Sequence, residues 1–389
     1  MTIRKTHERV RIVKLNTQLN ALEASLVTYT MPQIGIAKPI IGDREKAAMI
    51  EVLESGQLTQ GAKVAAFEEA FASYHGARFG VALNNGTAAL SAALMAHGIG
   101  PGDEVIIPSF SFFATASSVS FTGARPIFAD IDPETYCLSP QAAEAAITER
   151  TAAIMPVHLY GHPADMPALE QICQKHGLLL LEDAAQAHGA SIEGRYIGTW
   201  GSASFSFYAT KNMMTGEGGM VLTNDEAIAG KLRMIRNQGM NKQYCHEVMG
   251  FNLRMTDLTA ALGLVQLERL AEWTQARIEN ATFFSEHITT VETPSVRAGY
   301  SHVYHQYTVR VPEGVDRDKA VAQLNARGIG ARIYYPTPIH RQPVYSKDYA
   351  DADLPETEKC TRTVFSLPVH PALTEAERNY IVNEVNQLC

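Results

Sequence analysis

The chain has 389 residues, 46% of them hydrophobic, and a formal net charge of −8 at pH 7. That length suffices for one large domain plus a smaller one around a sizeable core, and the acidic balance, without a long basic block, argues against nucleic acid as the main partner. Cys137, Cys173, Cys245, Cys360 and Cys389 are odd in number, scattered and without a CxxC pair, so they read as reduced thiols of a cytoplasmic protein; no apolar run is long enough to span a membrane.

Residues 1–30 stand apart. Basic residues punctuate MTIRKTHERVRIVK, and NTQLNALEASLVTYT after it has no continuous apolar core, which argues against a secretory signal. The segment reads as an N-terminal extension, with Met31 as an alternative start. Residues 42–55 and 64–74 then read as amphipathic helices joined by the turn-rich GQLTQG. A short strand at 79–83 leads through Asn84-Asn85-Gly86-Thr87 into an alanine-rich helix carrying Leu90, Leu94 and Met95. Free N–H groups at a helix start favour a phosphate, typically by ~0.3–1 kcal/mol per charge at an exposed site. Gly86 lets the backbone approach closely and Thr87 adds a hydroxyl, although an Asn-Gly turn with a threonine beside it is common without any ligand.

PGDEVIIPSF supplies a turn and a strand, and SFFATASSVSFTGA a helix starting beside that strand's carboxyl end. Phe110, Phe112 and Phe113 cluster there, as core or as a ring that stacks on a flat ligand. A strand in PIFADID, a helix over 140–147, a strand in AAIMPVHLYG and a helix over 164–176 continue the alternation. Such β–α repetition predicts a largely parallel sheet flanked by helices. His158 and His162 lie four apart, but the intervening Tyr-Gly and the following Pro163 read as a strand end, and no third ligand has metal spacing.

The stretch 178–220, LLLLEDAAQAHGASIEGRYIGTWGSASFSFYATKNMMTGEGGM, organises the rest. Its apolar opening reads as a buried strand ending at Glu182 and Asp183, where open α/β sheets bind their ligands. Residues 204–208 read as a second strand, and Lys211 follows among small and glycine-rich residues. Each feature has an ordinary explanation by itself, a helix-capping acid or a solvated loop lysine. Together they match what pyridoxal phosphate requires: an amine for a Schiff base, an acid that keeps the pyridine nitrogen protonated, and backbone for the phosphate. Beyond it, Leu258, Ala261, Leu262 and Val265 place an apolar stripe on a helix. A smaller α+β portion follows, with strands at YHQYTVRV and GARIYYPTP, a helix at DRDKAVAQLNARGI and a proline-rich loop.

GTAAL, GPGDEVIIPSFSFFAT, DID at 130–132, PVHLYG, EDAAQAHGA, FSFYATK, GEGGMV and NLRMTDLTAALGLVQL occur in the order and at about the spacings of the DegT-type sugar aminotransferases, and the chain resembles that family from about residue 34 to its end. The resemblance implies an α/β fold of type I, a large domain with a mostly parallel seven-stranded-type sheet over 31–270 and a smaller α+β domain over 271–389. It implies pyridoxal 5'-phosphate as cofactor, with Lys211 as the Schiff-base lysine and proton carrier. Asp183 matches the partner of the pyridine nitrogen, Gln186 a residue near the ring substituents, Phe112 the stacking ring, and Ser206, Gly86, Thr87 and Ala88 the phosphate site. Asn252, in GFNLRM, matches a residue that reaches the phosphate held by the neighbouring subunit, which implies a homodimer with shared active sites. Arg332, Tyr335 and His340 are weaker substrate-binding candidates, and no metal is expected. Lys211 also sets the chain apart from dehydratase-like relatives with histidine at that position. The expected reaction carries an amino group from glutamate to a nucleotide-linked keto sugar; a keto-cyclitol acceptor and a non-catalytic regulatory or scaffold role are the alternatives.

Overall fold

The computed structural model describes residues 33–388; the expected extension at 1–30 and the alternative start at Met31 lie outside the described residues. Two helices open the described chain, α1 (Asp43–Ser55) and α2 (Ala62–His75), each ended by a glycine in the left-handed conformation, Gly56 and Gly76. Glycine carries no Cβ penalty there and so stops a helix cleanly. Strand β1 (Phe79–Leu83) then runs into α3 (Gly86–Ala96). After it come β2 (Glu104–Pro108), α4 (Ala114–Phe121), β3 (Arg125–Ala129), α5 (Pro140–Ala145), β4 (Thr151–Ile154), α6 (Met166–His176) and β5 (Leu179–Asp183).

Two short strands, β6 (Ser191–Ile192) and β7 (Arg195–Tyr196), precede β8 (Ser202–Ser206) and β9 (Gly219–Thr223). Helix α7 (Glu226–Ile235) and the small hairpin β10 (Met240–Lys242) and β11 (Cys245–His246) lead to α8 (Asp257–His287), one unbroken helix of 31 residues. It passes through residue 270 without interruption, at the boundary expected between large and small domains. The C-terminal part holds β12 (Tyr300–Ser301), β13 (Tyr307–Arg310), α9 (Arg317–Ala326), α10 (Pro355–Thr363), β14 (Val364–Leu367) and α11 (Glu375–Val385).

The central sheet has seven strands in the order β1-β9-β8-β5-β4-β2-β3. Every neighbouring pair from β8 to β3 is parallel, while β9 runs antiparallel to both β8 and β1. The fold is the expected mostly parallel α/β architecture. The carboxyl ends of β1, β8, β5, β4 and β2 therefore lie along one edge of the sheet, where α/β sheets place their sites. β2, β8 and β9 are buried along their whole length, as strands covered by helices on both faces must be. A separate apolar cluster of Phe284, Tyr307, Val309, Leu324, Phe365, Leu367 and Ile381 holds the C-terminal part together.

Two expected strands differ. The one read at 204–208 begins and ends earlier, at Ser202–Ser206, and Tyr208 keeps only a single bridge to Gly216. Gly201 allows the early start, since a Cβ there would lie 1.9 Å from the Leu180 carbonyl oxygen of β5. In GARIYYPTP only Arg332 bridges, to Ser366; Pro336 and Pro338 have no N–H to extend a ladder.

At the end of β5 the two acids point to opposite faces, as the two-residue repeat of a strand requires. Glu182 is buried and wholly satisfied: its Oε1 accepts the Trp200 and Gly201 amides at 3.0 Å each, and its Oε2 the Gly198 amide at 3.0 Å and His158 Nε2 at 3.2 Å. His158 Nδ1 accepts the Ala164 amide at 3.0 Å, so its proton sits on Nε2. His158 thus fixes a structural carboxylate. Among the described residues no group of three His, Cys, Asp or Glu side chains could hold a metal.

Candidate active site

A cavity of about 940 Å³ opens at the carboxyl edge of the sheet. Its lining brings together Gly86 and Thr87 at the start of α3, Phe112 after β2, Asp183 at the end of β5, Gln186, Ser206 at the end of β8, Lys211, and Tyr335 from the C-terminal part. Five different strand ends or loops thus meet at one place, although up to 249 residues separate them in sequence (335 minus 86).

The α3 end is built for an anion. Asn85 caps the helix, its side chain accepting the Ala88 amide at 2.8 Å. The Gly86 and Thr87 amides, in the first turn, have no intrahelical acceptor. Ala88 differs from expectation in this respect, because its amide is committed to the cap. Gly86 lies so close to β8 that a Cβ would stand 2.6 Å from Ser206 Cβ, and a Cβ on Gly219 would lie 2.3 Å from the Asn85 carbonyl oxygen. Only glycines let the turn settle against the strand and bring the Ser206 hydroxyl beside the helix start.

Asp183 is buried and only partly satisfied. Thr115 Oγ1 donates to its Oδ2 at 2.8 Å and the Ala185 amide to its Oδ1 at 3.2 Å, while Ser111 Oγ supports Thr115 at 2.8 Å. Burial pushes the carboxyl up, and the Thr115 and Ala185 hydrogen bonds with the Lys211 charge pull it back. A carboxylate so placed needs a cation to stay ionised. Lys211 lies on the turn after β8, its amide bonded to the Tyr208 carbonyl at 2.9 Å. Burial lowers its amine to about 8, against the opposing pull of Asp183. At pH 7 roughly one amine in ten is then neutral, against about three in ten thousand for a free lysine.

Gln186 is fixed on both sides. Its Oε1 accepts the Tyr160 amide at 2.7 Å and its Nε2 donates to the Tyr335 hydroxyl at 3.2 Å. Tyr335 can in turn donate its own proton into the cavity. Phe112 is 57% exposed on the cavity wall, its ring centroid 6.0 Å from that of Tyr335, so one face is open for stacking.

The remaining candidates are placed elsewhere. His340 is fully buried, with Nδ1 2.7 Å from Ser109 Oγ and Nε2 3.4 Å from Glu358 Oε1; both nitrogens are engaged outside the cavity. Arg332 is exposed and donates to Asn325 and to the Ala331 carbonyl, each at 3.3 Å. Asn252 is exposed, bridges to Asn237 and does not line this cavity. Sequence reasoning assigned no role to Thr115, although it ends the block GPGDEVIIPSFSFFAT, to Asn212, next to Lys211, or to His305, which only the fold brings to the site.

The site fits pyridoxal phosphate: amides and a hydroxyl for the phosphate, a buried carboxylate short of a cation, an open ring face, and an amine lowered to about 8. Fold and site together define a pyridoxal-phosphate-dependent aminotransferase. The chain belongs to the DegT/DnrJ/EryC1/StrS aminotransferase family, whose model matches residues 39–386. It is 43% identical over 343 residues to a "Pleiotropic regulatory protein" of Geobacillus stearothermophilus, covering 86% of this chain and 91% of that one. It is 41% identical over 368 residues to a GDP-perosamine synthase of Caulobacter vibrioides, covering 92% and 99%. The crystal structure of S. venezuelae DesV in complex with a ketimine intermediate superposes with a TM-score of 0.85 at 40% identity, covering 88% of this chain and 93% of that one. Among the described residues, no helix is long and apolar enough to cross a membrane.

Proposed function

We propose that the protein transfers an amino group from glutamate to a nucleotide-linked keto sugar. The observation that carries this reading is the convergence of Lys211 and Asp183 on one cavity whose floor is the start of α3. The similarity to a GDP-perosamine synthase supports a nucleotide-linked sugar as acceptor, and about 940 Å³ is at the upper end of small-molecule sites, with room for cofactor and a large substrate.

Pyridoxal phosphate, when bound here, would supply an aldehyde carbon to carry the amino group and a ring to act as electron sink. The chain's residues do the rest. The Gly86 and Thr87 amides and the Ser206 hydroxyl would hold the phosphate, and Phe112 would stack on the ring. Asp183 keeps the proton on the pyridine nitrogen, held in place by Thr115. Lys211 would hold the cofactor through its amine and would carry the proton at the substrate carbon. Its amine, lowered to about 8, suits both tasks. Tyr335, held by Gln186, offers its hydroxyl to the substrate.

The catalytic unit is a homodimer in which Asn252 serves the partner's phosphate site. What supports this is that Asn252 lies outside its own cavity and follows closely in sequence on the exposed apolar side chains Tyr244, Met249 and Phe251, the kind of residues that subunit contacts cover. A regulatory role, which the Geobacillus relative's name brings to mind, gives no chemical reason to keep Lys211 and Asp183 converged.

The test is transfer of label from ¹⁵N-glutamate to a panel of nucleotide-linked 3-keto and 4-keto hexoses and to a keto-cyclitol. Label in one of the nucleotide sugars is the expected result. Label only in the cyclitol would move the substrate to that class, and label in none would overturn the sugar assignment.

A further inference from the structure

Gln306 lies immediately before β13 and lines the same cavity as Lys211 and Tyr335. It is 9% exposed, and its backbone is fixed from behind. The Gln306 amide donates to the Tyr160 carbonyl at 3.1 Å, and the Val303 amide to the Gly161 carbonyl at 3.0 Å. This close approach depends on Gly161, which has φ 96°: a Cβ there would stand 2.8 Å from the His305 nitrogen and 2.9 Å from Val303 Cγ2. Tyr160 itself has φ 59°, which a bulky side chain adopts only where its surroundings enforce it. Tyr160 also donates its amide to Gln186 Oε1 at 2.7 Å and its hydroxyl to the Tyr334 carbonyl. One residue thus fixes the cavity wall on the Gln306 side and on the Tyr335 side. The Gln306 side chain is oriented from β14: Ser366 Oγ donates to its Oε1 at 3.2 Å and lies 2.8 Å from Thr308 Oγ1. Nε2 is the end left over. It has no partner among the described residues and is not sealed off from the cavity the residue lines, so its N–H groups have nothing of the protein to meet.

We propose that Gln306 is a substrate-binding residue that selects the acceptor: its side-chain amide nitrogen donates a hydrogen bond to a hydroxyl oxygen of the keto sugar. The inference rests on the reading of the acceptor as a nucleotide-linked keto sugar. The chemistry of the group selects this partner. Glutamate brings carboxylates, whose strong partners are charged donors, and Gln306 is neutral. The groups of pyridoxal phosphate are matched elsewhere, the phosphate at the start of α3 and the ring nitrogen at Asp183. A sugar hydroxyl is neutral and accepts from an N–H group. An amide held at its backbone and at its oxygen also discriminates, because an acceptor that lacks the hydroxyl leaves a fixed donor unpaired. The Tyr335 hydroxyl and the Gln306 amide, both referred to Tyr160, then give the sugar two fixed points of attachment on one wall.

The test compares the full-length parent with Gln306→Leu and Gln306→Met, all loaded with cofactor, and follows the two half-reactions separately. One is the reaction of the pyridoxal form with glutamate. The other is the reaction of the pyridoxamine form with whichever nucleotide-linked keto hexose takes label from glutamate. Loss of the donor should lower kcat/KM for the sugar about tenfold, chiefly through KM, the effect of one neutral hydrogen bond, and leave the glutamate step within about twofold. Calorimetric binding of the aminated nucleotide sugar to the pyridoxamine-loaded protein should weaken by the same factor, without any turnover. Acceptors lacking one hydroxyl each identify the partner: one of them should lose about tenfold with the parent and nothing further with Gln306→Leu. Sugar binding unchanged in Gln306→Leu, or in Gln306→Met should the first variant not fold, overturns the proposal. So does an equal loss in the glutamate step, or a set of deoxy acceptors none of which loses its dependence on Gln306. A parent that aminates no nucleotide-linked keto sugar would instead overturn the reading of the acceptor itself.

Discussion

Lys211→Ala should abolish amino transfer, lowering kcat by about 10⁴-fold or more, the full value of a positioned acid–base group together with the loss of covalent capture, while the melting temperature should stay close to that of the parent. The asymmetry follows from the environment. The Lys211 amine lies in a cavity at the end of the sheet, its side chain anchors no strand, and the turn is held by backbone, through the Tyr208 carbonyl. Truncation thus removes the amine and little of the packing. The same environment fixes a pH dependence. Burial lowers the amine to about 8, and capture of the cofactor's aldehyde needs the neutral amine. Capture by cofactor-free protein should rise with pH up to about 8 and level off above it; a rate still climbing steeply toward the ordinary lysine range would show that burial does not tune this amine. Stopped-flow absorbance on mixing with pyridoxal phosphate reads the rate, and steady-state assays with thermal melts read the two effects of the substitution.

Asp183→Asn should cost roughly 10²–10³-fold in kcat, the scale of losing one preorganised electrostatic partner. Asparagine is close in shape and can still accept from Thr115, so the fold is retained. What it lacks is the negative charge that keeps a proton on the pyridine nitrogen. Asp183→Ala adds a structural penalty, because the Thr115 hydroxyl and the Ala185 amide lose their acceptor, at about 1–3 kcal/mol for a buried group left unsatisfied. The two variants should therefore share a low kcat and differ in melting temperature. An asparagine enzyme within about threefold of the parent's kcat, a margin well below that scale, would remove Asp183 from the chemistry.

How much of this was legible beforehand depended on where each signal lay. The parallel sheet was legible because β–α alternation is a local pattern, and Asp183 because an apolar run ended in an acid at the strand terminus. Gly86 and Thr87 were legible as a turn before a helix, but the cap that occupies the Ala88 amide was not, since whether Asn85 faces inward depends on packing against β8. The antiparallel course of β9 has no local mark in GEGGMV; it is set by the pairing of residues 219–223 with β8 and β1. Tyr335 lines the cavity, whereas His340, five residues later, turns into the protein to meet Ser109 and Glu358. Nothing in YYPTPIHRQP distinguishes a side chain facing the cavity from one facing the core. His305 shows the limit most clearly, for only the fold brings it to Asn212 and to the cavity.

The most direct measurement is the absorbance spectrum of the purified protein loaded with pyridoxal phosphate, recorded before and after addition of glutamate, with Lys211→Ala beside it. The account predicts a visible band in the parent that bleaches with glutamate and a variant that does not show the same band. A parent protein that gives no such band with added pyridoxal phosphate, or a Lys211→Ala protein whose band and bleaching match the parent's, would contradict it.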